Sequence, residues 1–222
     1  MSIAIDGPAG AGKSTVAQLT AKRLGFTYID TGAMYRALTL AALTHGIPLD
    51  DERRVGELLN QITIDLRQDP NGQRVVLNNQ DITREIRDPE ISRNVSIVAK
   101  HPAVREKMTI LQRRLAVAQN VVMDGRDIGT HVLPQAEVKI FLTASIEERA
   151  IRRYKELIEK GHQPVLEELK EEILLRDRLD SEREVAPLRP AEDAIIVDTT
   201  GMSIENVVEK IGQIYSHTNQ TR

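Results

Sequence analysis

The chain has 222 residues, 41% hydrophobic and 28% charged, with 30 basic residues against 33 acidic ones. A chain of this size buries roughly 70% of its unfolded surface, enough for a core without staples. The near-balanced charge leaves no excess to drive binding to nucleic acid or anionic lipid. The 3% aromatic content and absence of Trp argue against base-stacking platforms. Zero Cys removes disulfides, thiolate nucleophiles and cysteine-ligated metal centres together. No apolar run reaches the ~18 residues of a membrane span. The first residues carry neither a basic start nor an apolar stretch of signal-peptide length, so a cytoplasmic protein is expected.

In chain order, Ile3 to Ile5 is a short apolar run that stops at Asp6-Gly7. From Lys13 the pattern turns helical, with Val16, Leu19, Thr20 and Leu24 at spacings of three and four, and Gly25 ends it. Phe26 to Ile29 predicts a second strand, followed by a loop at Asp30-Thr31-Gly32 and a helix from about Ala33 to Thr44. Between residues 60 and 95 the period changes. Ile62, Ile64 and Leu66 alternate with polar residues, Asp69-Pro70-Asn71-Gly72 predicts a turn, and Val75-Val76-Leu77 follows. Asn78-Asn79 then permits a third short strand through Ile82. This antiparallel patch predicts an inserted subdomain.

A helical pattern resumes from about Pro89 to Gln119. Val121 to Met123 and Val138 to Leu142 are apolar runs suited to a covered parallel sheet. The highly charged stretch from 146 to 190, broken by Gly161 and Pro164, predicts two helices. Ala194 to Val197 predicts a last strand, and Ser203 to Tyr215 a terminal amphipathic helix. Strand and helix alternate, so the class is α/β, with helices on both faces of a parallel sheet.

Gly7-Pro8-Ala9-Gly10-Ala11-Gly12-Lys13-Ser14 matches G-x-x-x-x-G-K-[ST], with Thr15 following. Glycines let backbone N–H groups turn inward around phosphate, and the helix start directs its positive end at the same anion. Lys13 supplies charge for the β- and γ-phosphates, and the Ser14 hydroxyl is placed to ligate Mg2+. A match of this kind arises by chance in roughly one chain of this length in a hundred, and here it lies between a predicted strand and a predicted helix. The expected ligand is a nucleoside triphosphate. No Asn-Lys-x-Asp base-reading motif is present, which disfavours a GTPase.

Two further segments sit at strand ends, where open α/β sheets bind ligands. In Asp30-Thr31-Gly32-Ala33-Met34-Tyr35-Arg36, Arg36 could hold an acceptor phosphate. The alternative is a helix cap with Tyr35 in the core and Arg36 on the surface. In Asp124-Gly125-Arg126-Asp127, Arg126 suits a bidentate phosphate clamp and Asp124 suits magnesium through water; the alternative is a capped turn with an internal ion pair. On the charged helices, Arg149, Arg152 and Arg153 share one face, as do Arg176, Asp180 and Arg183. Either set is a solvated face or a lid that closes arginines over a transferring phosphate. The five histidines form no ligand spacing. A phosphate acceptor needs no base, because its second pKa of about 6 leaves it anionic near neutral pH.

Four segments resemble the bacterial cytidylate kinases within the nucleoside monophosphate kinases. They are Ile5 to Ser14, Asp30 to Arg36, Asp124 to Thr130, and Arg176 to Arg183 running into Val185-Ala186-Pro187-Leu188. Their order covers nearly the whole chain. The resemblance implies a five-stranded parallel sheet with flanking helices, a small antiparallel insertion at 60–95 beside the monophosphate site, and a helical lid at 146–185. The remainder, 1–59 and 96–222, forms the core that carries both. It implies that Tyr35, Arg36 and Arg126 surround the CMP phosphate, and that Ser96, Arg105, Asp127 and Arg183 read the cytosine edge. Thr31, Arg176 and Asp180 would lie around the nucleoside, Arg149 and Arg153 would be lid cations for ATP, and Thr199-Thr200-Gly201 would pass the adenine. The implied reaction uses ATP and Mg2+ with CMP or dCMP, without nucleic acid or membrane, in a monomer. Two rivals stay open here: a kinase for another small acceptor, and a nucleotide-dependent switch that has none.

Overall fold

Ile3 and Ile5 point to one face of the central strand and Ala4 to the other, following the two-residue period of extended chain. In the computed structural model, which describes residues 1–69, 72–117 and 119–220, this strand is β1 (Ser2–Asp6). It pairs in parallel with β6 (Val121–Gly125) on one side and β7 (Val138–Thr143) on the other. β2 (Thr27–Asp30) and β8 (Ile195–Asp198) complete a five-stranded sheet in the order β2-β6-β1-β7-β8, all parallel.

Both faces are covered. On one, Ile3, Ile5, Val122 and Ile140 pack against Val16 and Ala17 of α1 (Lys13–Leu24) and Val207 and Ile211 of α8 (Ile204–Gln220). On the other, Ala4, Ile29 and Met123 pack with Ile128 and Val132, which lie on a wide five-residue turn, Ile128–Val132.

α2 begins two residues earlier than its hydrophobic pattern predicts, as Thr31–Thr44. Asp30 is its N-cap, accepting the Ala33 N–H at 2.8 Å, so the predicted loop is the first helical turn. α3 (Glu52–Gln61) was not expected. Its signals are a capping Asp51 that accepts the Arg54 N–H and a short stripe of Val55, Leu58 and Leu59. The single helical pattern predicted between Pro89 and Gln119 is two helices, α4 (Pro89–Ala99) and α5 (Pro102–Ala116). Pro102 has no N–H to continue α4 but suits the first position of a new helix.

The inserted sheet is antiparallel, β3 (Ile64–Asp69), β4 (Gly72–Leu77) and β5 (Gln80–Asp81). Asn78 and Asn79 both take positive φ, 47° and 69°, the geometry of a tight hairpin turn. Pro70 and Asn71 of the other predicted turn lie outside the described residues. The third strand stops short of Ile82, which is buried with Val75 and Ile86 against Ala33 and Ala37 of α2. The side-chain amides of Gln68 and Gln73 donate to the Tyr28 carbonyl on β2, which caps the open edge of the main sheet. α6 (Ile146–Glu159) and α7 (Leu166–Glu182) form the predicted charged helical pair. Ala150 and Ile173 pack them onto Ala9 of the glycine loop.

Candidate active site

β1 ends at Asp6 and the chain turns at once into the glycine loop. Gly7 has φ +147°, and a Cβ there would lie 2.0 Å from the Leu142 carbonyl oxygen on β7. Only glycine fits. Gly12, with φ 85°, caps α1, so the exposed N–H groups of the first helical turn face the loop's concavity. Pro8 to Thr15 wrap this concavity, and Ala9 through Thr15 line a cavity of about 1340 Å³. Lys13 is buried and donates from Nζ to the Pro8 carbonyl at 2.7 Å. Burial, with the positive charges of Arg126 and Arg176 nearby, pushes its pKa well below the usual lysine value, and Asp124 opposes this only in part.

The same cavity is lined by residues from four other parts of the chain: Thr31, Tyr35 and Arg36 of α2, Ser96 and Arg105 of α4 and α5, Asp124 to Asp127 of β6 and beyond, and Arg176, Asp180 and Arg183. Both alternatives for Tyr35 and Arg36 meet here. Asp30 does cap the helix and Tyr35 is largely buried, yet Arg36 lies against the cavity rather than on the outer surface. Its NH2 donates to Asp30 Oδ2 at 2.9 Å, and Arg87 donates to the same oxygen at 3.0 Å. Burial pushes the Asp30 carboxyl up, but the two guanidiniums outweigh it and hold the pKa below its ordinary value.

Asp124 is buried at the end of β6. Ser14 Oγ donates to its Oδ2 and Tyr28 OH to its Oδ1, both at 2.9 Å. Thr31 Oγ1 donates to the Asp124 backbone carbonyl at 2.7 Å. Burial and the Asp30 charge push the Asp124 carboxyl up to about 6. Arg126 Nε pairs with Asp180 Oδ2 at 2.8 Å, and Ser96 Oγ donates to Asp180 Oδ1 at 3.0 Å. Next to them, Asp127 holds Arg105 through Oδ2 and Arg183 through Oδ1. The Arg105 guanidinium lies 5.7 Å from the centre of the Tyr35 ring. Arg183 stands just past the end of α7 rather than on its face with Arg176 and Asp180, but the three still meet at the cavity.

Positive charge dominates the space between the loop and these carboxylates. Burial and the Arg126 charge push Arg176 down to about 10. The Nε atoms of Arg36 and Arg176 are buried without a hydrogen-bond partner. Unmatched buried donors beside crowded cations describe a place shaped for an anion.

The lid arginines divide. Arg153 lines the cavity and pairs with Glu156 at 2.8 Å. Arg149, expected beside it, points elsewhere. Its Nε donates to Ala144 O, and its NH1 to Ala9 O and to Asp177. Asp177 in turn accepts the Ala9 N–H at 3.1 Å. Arg149 thus braces the loop from behind because it lies on the buried side of α6, against Gly10. Arg152 also lines the cavity and donates to Thr199 O at 2.7 Å. His162 stands exposed at the cavity rim. Sequence reasoning missed Arg87, Tyr28 and Asp177, whose partners Asp30, Asp124 and Ala9 lie far away in the chain, and it read Asp30 as part of a loop without its hold on Arg87. Position at the end of a strand could have flagged Asp30.

Among the described residues no helix is long and apolar enough to cross a membrane, and no group of three acidic, His or Cys side chains could hold a metal alone.

Residues 3–217 match the family model described as cytidylate kinase. A cytidylate kinase of Geobacillus kaustophilus (strain HTA426) is 59% identical over 214 residues, 96% of each chain. One of Geobacillus sp. (strain WCH70) is 60% identical over 212 residues, 96% of this chain and 95% of that one. Among solved structures, an uncharacterized protein from Eubacterium ventriosum ATCC 27560 superposes with a TM-score of 0.50 at 13% identity, covering 96% of this chain and 97% of that one. That likeness concerns the fold alone. With the glycine loop, the cation-lined cavity and relatives at this identity, the chain belongs to the cytidylate kinase family.

Proposed function

We propose that the protein transfers the γ-phosphate of ATP to CMP, and to dCMP, giving ADP and CDP or dCDP. The observation that carries this reading is the wall of guanidiniums between the glycine loop and the paired carboxylates, with buried Nε donors that nothing among the described residues satisfies. ATP phosphates would lie on the backbone of Gly7 to Thr15 with Lys13 at the β- and γ-groups. The acceptor phosphate would be held by Arg36 and Arg126, with Tyr35 behind them and Arg87 completing the wall. Arg153 would approach the transferring group from the lid, and Arg149 would act through Ala9.

Cytosine presents an amine donor beside two acceptors. Asp127 complements the amine, and Arg105 and Arg183, which already flank that carboxylate, complement O2 and N3. Uracil would set a carbonyl against Asp127, an unpaired and costly contact. Ser96, Arg176, Asp180 and Thr31 would hold the nucleoside between base and phosphate.

A magnesium ion fits Ser14 and Asp124. Magnesium takes one or two protein oxygens and completes its shell with water and phosphate, and the buried Asp124 carboxylate accepts from the hydroxyl groups of Ser14 and Tyr28. When bound, magnesium would supply positive charge that offsets the charge of the phosphates during transfer. The protein's own contribution is positioning, charge neutralisation and exclusion of water, which would otherwise compete as acceptor. The segment 60–95 would serve as the monophosphate-binding insertion and 146–185 as the lid, on a core of 1–59 and 96–222, in a cytoplasmic monomer. A coupled ADP-release assay across nucleoside monophosphates tests the reading. CMP and dCMP are expected to turn over well ahead of UMP and dTMP. ADP release independent of acceptor would overturn it.

A further inference from the structure

Asp6 is 4% exposed, and it is not among the residues that line the cavity. Both of its carboxylate oxygens are nonetheless committed. Oδ1 accepts the Ile128 N–H at 2.8 Å and Oδ2 the Gly129 N–H at 2.7 Å. These two amides open the wide turn that follows Asp127. At its other end the turn closes on the Asp127 carbonyl, which accepts from His131 N at 2.8 Å and Val132 N at 3.1 Å. The peptide unit joining Asp127 to Ile128 is therefore held at both edges, its carbonyl by the turn and its N–H by Asp6. A peptide unit moves as a plane, so holding this one fixes the Asp127 Cα and leaves rotation about its Cα–C bond as the remaining freedom in where the side chain departs.

The packing around the contact is specific to it. A Cβ at Gly129 would lie 3.4 Å from Asp6 Oδ2 and 3.2 Å from Lys139 Cδ. A side chain at Gly129 would press first on Lys139 and only lightly on the Asp6 carboxylate. Burial pushes the Asp6 carboxyl up to about 7 while the two amides hold it down. Burying a carboxylate costs stability even when it is hydrogen-bonded. β1 is paired on both sides, so losing this carboxylate frees the turn and leaves the strand in place.

We propose that Asp6 is a positioning residue for nucleobase choice: from the strand that feeds the donor loop, it aims Asp127 and so sets the preference for CMP over UMP. This rests on the reading of Asp127 given above. In Asp6→Asn, one acceptor and one donor would face two N–H donors, so one amide loses its partner. Gly129→Ala presses on the same contact from the other side and leaves the carboxylate intact.

The experiment measures kcat/KM for CMP and UMP and KM for ATP in both variants, in Asp127→Asn, and in the double variant of Asp6 and Asp127. The CMP/UMP preference is expected to fall about tenfold in Asp6→Asn, and less in Gly129→Ala, with the KM for ATP within twofold. Asp6→Asn should change the preference little once Asp127→Asn is present. A preference kept within twofold in Asp6→Asn, or equal losses for CMP, UMP and ATP, overturns the proposal. If Asp6→Asn does not fold, an unchanged preference in Gly129→Ala overturns it. Should Asp127→Asn itself keep full preference, the reading of the base fails and the inference with it. Should only Asp127→Asn lose it, the inference alone fails.

Discussion

The glycine loop after β1 takes eight consecutive residues, whereas the pocket facing it gathers side chains from α2, α4, α5, the end of β6 and α7. Consecutive residues need only local geometry to reach their places: positive φ at Gly7 and Gly12, and a helix start behind them. Convergent residues need the whole sheet order first. β6 lies between β1 and β2, and this interleaving alone brings Asp124 beside both Ser14 and Tyr28. On the proposed reading, the donor loop needs only a strand feeding a helix, whereas the acceptor pocket needs this sheet order.

The sharpest way to break the comparison is Lys13→Met, which removes the loop's one long cation. Turnover is expected to fall by about 10³-fold. The nucleotide-free protein should unfold no earlier, because Lys13 is buried among like charges that depress its pKa. A large drop in melting temperature would show the loop to depend on Lys13 for its fold. On the acceptor side, Arg126→Ala is expected to lower turnover about 10²-fold with the KM for ATP within about twofold. Turnover comparable to the unmodified protein would remove Arg126 from the mechanism.

The smallest effect concerns the carboxylate between the two regions. Asp6 has its folded pKa raised to about 7, above the unfolded value near 3.9. Its contribution to stability is therefore complete below the unfolded pKa and lost as pH rises to 7. Asp6→Asn lacks that loss. Its melting temperature relative to the unmodified protein should rise by a few degrees between pH 5 and pH 8 in thermal unfolding without nucleotide. A constant offset across that range would show that Asp6 titrates at its ordinary value.

How much could be read from the sequence follows the same division. The loop was legible because its eight residues are contiguous, and Arg36 and Arg126 because each closely follows a strand end, where ligands gather. Asp30 was seen as part of a loop, but its joint hold on Arg36 and Arg87 required the inserted segment to fold back 57 residues later. Arg149 was misplaced because helical spacing fixes which residues share a face and not which way that face turns; Ala9, 140 residues earlier, settles that. α3 escaped because its buried stripe is only three residues wide. Asp6, at the end of an apolar run, looked like punctuation until its partners at 128 and 129 were known.

The buried guanidinium Nε donors of Arg36 and Arg176, which find no partner among the described residues, bear on how a reaction cycle would finish. On the proposed reading, entry of the acceptor nucleotide would satisfy them, and departure of a diphosphate would leave them unpaired again unless solvent arrived first. On that reading hydration of those donors and exit of product would be coupled, and the pace of turnover would depend on how readily water can follow the leaving nucleotide inward.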